Sequence, residues 1–163
     1  MSSELPIPEF PSEALARVYE QARREFPSEC CGYLLGSGSD STLVPCVNRQ
    51  DKLHQLDPEA HPRTSANAYN IGGRELLDLV RSFESDQAAT IIYHSHPRVG
   101  AYFSEEDTRA AEAAGYPVDY LVVDVQDDGV REAILFCRAE REGEVEYRPV
   151  AAYGPDTAAK SVA

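Results

Sequence analysis

Two histidines separated by one residue open the stretch His94-Ser95-His96-Pro97-Arg98-Val99-Gly100-Ala101-Tyr102-Phe103-Ser104-Glu105-Glu106-Asp107. On a β-strand, alternate side chains point to the same side, so His94 and His96 can hold one divalent ion between them. Asp107 falls in the first turn of the helix that the downstream residues predict, on one face with Ser104. The 97–103 loop is long enough to fold that helix end back onto the strand end. Two histidines and a carboxylate with a further position open are the ligand set of a catalytic zinc, whereas a closed structural site carries four protein ligands. The chain has four histidines, and two of them fall here. The others, His54 and His61, lie in an irregular stretch and read as solvated loop residues.

A metal hydrolase also needs a proton acceptor. Upstream stands Phe26-Pro27-Ser28-Glu29-Cys30-Cys31-Gly32-Tyr33-Leu34-Leu35-Gly36, with Glu29 just before an apolar strand. By position alone it is one of 28 acidic residues and reads as a solvated carboxylate.

The elements that must position these residues follow from periodicity. Pro6, Pro8 and Pro11 make residues 1–11 an extended arm. Leu15, Val18, Tyr19 and Ala22 recur at helical spacing from Ser12 onward, and Pro27 closes that helix. Residues 31–36 and 42–47 read as a hairpin around the Gly-Ser-Gly-Ser-Asp turn at 36–40. Residues 48–67 read as a long loop and 68–71 as a short strand. A helix then presents Leu76, Leu77, Val80 and Phe83 as its apolar face. Residues 90–93 form a central strand, Ser104 caps a helix over 105–114, and three β segments span 118–125, 131–138 and 144–150. The small and polar residues at 151–163 read as a disordered tail. The sum is an α/β domain with a mixed, mainly antiparallel sheet.

Composition excludes several functions. Of 163 residues, 42% are hydrophobic and 26% charged, enough for one core. Asp and Glu outnumber Lys and Arg by 28 to 15, a formal charge of -13. Nucleic acid and anionic membrane both need a cationic patch, so neither is an expected partner. The two lysines, Lys52 and Lys160, among so many acids are also compatible with a saline cytoplasm. No apolar run approaches the length of a membrane helix. Met1-Ser2-Ser3-Glu4 lacks the build of a secretory signal, so the reading is a soluble cytoplasmic domain. Cys30, Cys31, Cys46 and Cys137 contain no Cys-x-x-Cys pair and read as small hydrophobes on strands.

The two informative stretches together resemble the JAMM (MPN+) metalloprotease motif, a Glu followed downstream by His-x-His-Pro-x₆-Ser-x-x-Asp. Those positions are Glu29, His94, His96, Pro97, Ser104 and Asp107. The element Glu29-x-Cys31-Gly32-x-Leu34-Leu35-Gly36 is similar to the small bacterial members of that family. One departure is Phe103, where those members often have Pro. The resemblance covers residues 12–150.

That resemblance implies a single-domain MPN (cytidine-deaminase-like) fold and one Zn²⁺ per chain. It implies that His94, His96 and Asp107 are the ligands, Glu29 the base and Ser104 a donor to the oxyanion. The implied activity is a zinc-dependent isopeptidase or peptidase cutting after the C-terminal Gly-Gly of a ubiquitin-like sulfur-carrier protein. The long loop is then a lid over the substrate groove, with Asn67, Tyr69 and Asn70 as hydrogen-bonding contacts and Tyr102 and Phe103 crowding the tail. A DNA-repair-associated branch shares the motif, but the acidic charge argues against it. Metal-free members of the fold serve as scaffolds and lack the ligands that this sequence keeps.

Overall fold

The computed structural model describes residues 10–162. Of the expected arm at 1–11, residues 1–9 lie outside the described residues. Phe10 is buried in the core, and Pro11, with extended backbone, is the N-cap of the first helix.

The chain forms helices α1 (Ser12–Glu25), α2 (Gln50–Leu56), α3 (Gly73–Ser82) and α4 (Glu105–Ala114). Among the described residues seven strands accompany them: β1 (Cys31–Leu35), β2 (Thr42–Cys46), β3 (Ala89–Pro97), β4 (Asp119–Gln126), β5 (Gly129–Arg141), β6 (Glu144–Tyr153) and β7 (Ala159–Ser161). They build one sheet in the order β2-β1-β3-β4-β5-β6-β7. Only β3 and β4 run parallel, the other neighbours being antiparallel. Helix α4 supplies the crossover that a parallel pair requires. The mixed, mainly antiparallel α/β architecture is therefore the one its hairpin turns predict.

Two apolar clusters cover the two faces. On one, Leu15, Val18, Tyr19 and Ala22 of α1 pack with Leu34, Ile91, Tyr93, Leu121 and Leu135. On the other, Leu79 of α3 and Ala111 of α4 pack with Cys31, Tyr33, Ile92 and Tyr120. The period of two along β3 thus sends Ile91 and Tyr93 toward α1, and Ile92 toward α3 and α4. His94 and His96 share the parity of Ile92. Register is held from both sides, with His94 opposite Cys31 on β1 and beside Val122 on β4.

A close approach locks α1 to the centre of the sheet. Gly32 lies opposite Tyr93, whose hydroxyl donates to buried Gln21 Oε1. Gln21 Nε2 in turn donates to the Cys31 carbonyl at 3.0 Å. A Cβ on Gly32 would overlap the Tyr93 hydroxyl and the Val44 carbonyl oxygen.

The structure corrects four expectations. The long loop at 48–67 contains α2, because the Asn48 side chain accepts from the Gln50 N–H at 3.0 Å and starts a turn. Residues 68–71 form no strand, since the Asn48 side chain takes the Ala68 carbonyl and the Asn70 N–H that a ladder would use. The buried face of α3 centres on Leu79, while Leu77 and Val80 are each 44% exposed. The described part of the tail, 151–162, carries regular structure: β6 runs to buried Tyr153 and pairs with β7. Tyr153 is tied to the start of the chain, its hydroxyl accepting from the Phe10 N–H and its carbonyl from the Tyr19 hydroxyl.

Gly32→Ala forces an overlap against backbone as well as side chain, so it is expected to lower stability by about 1–3 kcal/mol or more. Urea denaturation of the two proteins measures the change, and an unaltered midpoint contradicts the packing described.

Candidate functional site

His94 and His96 occupy the C-terminal half of β3 and are 0% and 4% exposed. Helix α4 begins beside them. Ser104 Oγ accepts from the Asp107 N–H at 3.0 Å, and Asp107 Oδ2 accepts from the Ser104 N–H at 3.1 Å, a complete capping box. The same Oδ2 lies 3.1 Å from both His94 Nε2 and His96 Nε2, and the two ring nitrogens are 3.1 Å apart. The loop folds back as the spacing predicts, and His94, His96 and Asp107 meet at one point. Ser104 and Glu29 complete the cluster's surroundings: the nearest ligand atoms of Glu29, His94 and His96 lie within 4.8 Å of one another.

The chemistry of this donor set fits a divalent cation. His96 Nδ1 lies 3.0 Å from the Gly100 carbonyl oxygen, which can only accept, so Nδ1 carries the proton. Nε2 of the neutral ring then presents a lone pair to an anionic oxygen. Two acceptors at 3.1 Å need a positive charge between them, from a proton or from a metal. Ligand atoms on a tetrahedral zinc at about 2.0–2.1 Å stand roughly 3.3 Å from one another, close to the triangle observed.

The two carboxyl groups are driven in opposite directions. Burial raises the Asp107 carboxyl, but the two imidazoles outweigh it and hold the group well below the usual range. Burial pushes Glu29 up to about 8 from its ordinary 4.5, with His96 opposing the shift and Asp107 adding to it. Glu29 Oε1 is buried and has no hydrogen-bond partner. Burial lowers His94; it lowers His96 too, but the Asp107 hydrogen bond and charge leave that ring net raised. Of the two carboxyl groups, Asp107 is the anion suited to a cation and Glu29 the one poised to exchange a proton.

The backbone of Glu29 is held while its Oε1 is left without a hydrogen-bond partner. Its N–H donates to the Ser65 carbonyl at 2.7 Å, and its carbonyl accepts from Asn48 Nδ2 at 2.9 Å. Next door, the Cys30 N–H donates to Ser95 Oγ at 2.8 Å. Asp51 fixes Ser65 through its N–H and hydroxyl at 2.7 and 2.8 Å. Asn48, Asp51, Ser65 and Ser95 are positioning residues that the sequence reading missed. Each is a common polar type in an irregular stretch or on a strand, and only the tertiary fold reveals its partner.

A pocket of about 280 Å³ opens beside Asp107, its wall including Gln50, His61, Arg63, Asn67, Tyr69 and Glu106. The 48–67 segment thus forms one side of the site. Tyr69 stacks on the His94 ring at 4.4 Å, and half-exposed Tyr102 meets His96 edge-on at 5.0 Å. Asn67 is exposed and accepts from Arg63 Nη1 and the Thr64 N–H. Asn70 is engaged through its backbone with Asn48 and Arg49. Phe103 packs its ring on Tyr120, Phe136 and Tyr147 at 4.9–5.5 Å. His61 lines the pocket and its carbonyl accepts from His54 Nδ1 at 2.8 Å; neither histidine joins the donor cluster.

The raised Glu29 carboxyl gives the metal-free protein a pH signature. The native state keeps a proton that the unfolded chain releases, so this contribution is complete below about 4.5 and lost as the pH rises through about 8. Metal-free wild type is therefore expected to lose stability relative to metal-free Glu29→Gln between those values. Urea midpoints of both proteins across that range measure it, and parallel curves contradict the burial of an ionisable Glu29.

Comparison with known proteins places this geometry in a family. The profile of prokaryotic homologs of the JAB domain matches residues 11–138. The CysO-cysteine peptidases of Mycobacterium tuberculosis and Mycobacterium bovis are 33% identical over 113 residues, 65% of this chain. The chain likewise spans only 65% of the length of these relatives. Among solved structures, a Desulfitobacterium hafniense protein superposes with a TM-score of 0.53 at 21% identity, covering 83% of this chain and 86% of its own. A Salinibacter ruber protein gives 0.51 at 20% identity, covering 87% and 88%. These two likenesses show the fold. With the family profile matched from the first helix to the fifth strand, the chain belongs to the prokaryotic homologs of the JAB domain.

Proposed function

We propose that this protein is a zinc-dependent peptidase that hydrolyses the amide bond after the C-terminal Gly-Gly of a ubiquitin-like sulfur-carrier protein. The observation that carries the reading is the meeting of His94, His96 and Asp107 at 3.1 Å near the buried, unpartnered Oε1 of Glu29. The similarity to CysO-cysteine peptidases supports a carrier protein as substrate.

In this reading His94, His96 and Asp107 hold the ion. When bound, zinc supplies Lewis-acid chemistry, making water more acidic and polarising the scissile carbonyl. Glu29 accepts a proton from the attacking water at its unpartnered Oε1 and delivers it to the leaving nitrogen. A carboxyl raised toward neutrality does both, because it gains and gives a proton at little cost near pH 7. Ser104 Oγ accepts from the Asp107 N–H, so its own hydroxyl hydrogen is free to donate to the oxyanion of the tetrahedral intermediate. Tyr69 and Tyr102 flank the two imidazoles and narrow the approach. A Gly-Gly tail passes there because glycine carries no side chain and tolerates unusual backbone angles.

Purified protein is expected to bind one zinc per chain, and His96→Ala or Asp107→Ala to lose most of it by elemental analysis. Glu29→Gln is expected to keep its zinc while turnover falls about 10²-fold or more. Mass spectrometry of a carrier extended beyond Gly-Gly, with and without enzyme, measures turnover. Full zinc in both ligand variants, or equal cleavage of a carrier ending in Ala-Ala, contradicts the assignment.

A further inference from the structure

Arg63 is the permanent cation among the described residues that line the pocket beside Asp107, on a chain whose formal charge is -13. Its placement is built. The Arg63 carbonyl accepts from buried Gln50 Nε2 at 3.0 Å, and its Nη1 donates to the Asn67 carbonyl at 3.2 Å. Its ion-pair neighbour Glu106 stands 3.9 Å from Nη2, too far for a hydrogen bond. Glu106 Oε1 is instead held by Arg109 at 2.8 Å. The guanidinium therefore keeps donors to offer, and its side chain is 43% exposed.

Arg63 also belongs to the segment that holds Glu29. The 63–67 turn grips the Glu29 backbone through Ser65, and the Ser28 and Ser65 hydroxyls are 2.9 Å apart. Resting on the proposed role of Glu29 as the group that protonates the leaving nitrogen, we infer that Arg63 binds the free α-carboxylate of a single amino acid joined to the carrier's last glycine. In such a substrate the carboxylate carbon is only about 2.5 Å from the scissile nitrogen. One residue further along, a neutral carbonyl would stand there. In a lysine isopeptide the carboxylate is four methylenes more distant. Arginine matches a carboxylate with two parallel N–H donors, the geometry that most sharply separates an acid from an amide. The chain thereby selects removal of one terminal α-linked residue.

The test uses a carrier extended by one cysteine, prepared as the free acid and as the C-terminal amide. Binding is measured by titration calorimetry on zinc-loaded Glu29→Gln protein, and turnover on zinc-loaded wild type. The acid is expected to bind about ten to a hundred times more tightly than the amide. Adding Arg63→Gln is expected to bring that ratio close to one, and Arg63→Lys to retain part of it. A general loss of fold does not change the ratio of acid to amide binding; circular dichroism checks the fold itself. Equal binding of acid and amide, or a ratio that survives Arg63→Gln, overturns the inference. Preference in binding without turnover by wild type upholds the carboxylate site and removes the peptidase reading, and turnover without preference does the reverse.

Discussion

One carboxylate oxygen ties the helical layer to the sheet at the site. Asp107 Oδ2 accepts the Ser104 N–H at the start of α4 and faces Nε2 of both histidines on β3. It thus completes the helix cap and sets where the helix end docks. The arrangement puts electron-rich atoms against one another inside the protein, where opposing lone pairs are poorly screened. The positive end of the α4 dipole relieves part of that repulsion, and a cation at the shared point relieves the rest. Folding of the loop and placement of the two imidazoles are therefore coupled by the same oxygen.

Environment, and not residue type, divides the labour between the two buried carboxyl groups. Asp107 has two imidazoles and a backbone N–H directed at it, so its charge is favoured. Burial raises the Glu29 carboxyl, with His96 opposing the shift and the Asp107 charge adding to it. The polar network around Glu29 spends its hydrogen bonds on the backbone: Asn48 and Ser65 hold the main chain, and nothing holds Oε1. That combination of a fixed position and an unsatisfied oxygen is what the proposed proton transfer by Glu29 requires.

Local pattern made the donor pair legible in the sequence. His94 and His96 share one face of a strand by the period of two, and Ser104 with Asp107 spells a helix start. Elements with strong periodicity or clear punctuation were readable in the same way: α1 with Pro27 after it, α4 with its cap, and the hairpins. Glu29 was legible only through resemblance, because its distinction is burial rather than spacing. The failures share a cause. Asn48 rearranges residues 48–70 by side-chain hydrogen bonds to backbone far away in sequence, which leaves no periodic trace. Tyr153 orders the tail through contacts with Phe10 and Tyr19, again invisible locally. Phe103 sits next to the motif, yet an aromatic cluster on three other strands claims its ring.

The net charge and the pocket act over different distances. At physiological ionic strength charges more than about 8 Å apart in solvent are largely screened, so the acidic surface has little hold on a ligand once it is in contact. It discourages anionic macromolecules at the encounter stage. Within the pocket, a single guanidinium acts at hydrogen-bond range, where its donors outweigh the distant acids. Selectivity for a carboxylate then belongs to contact and geometry instead of steering. An acidic protein can in this way carry a site for an acid without changing the sign of its surface.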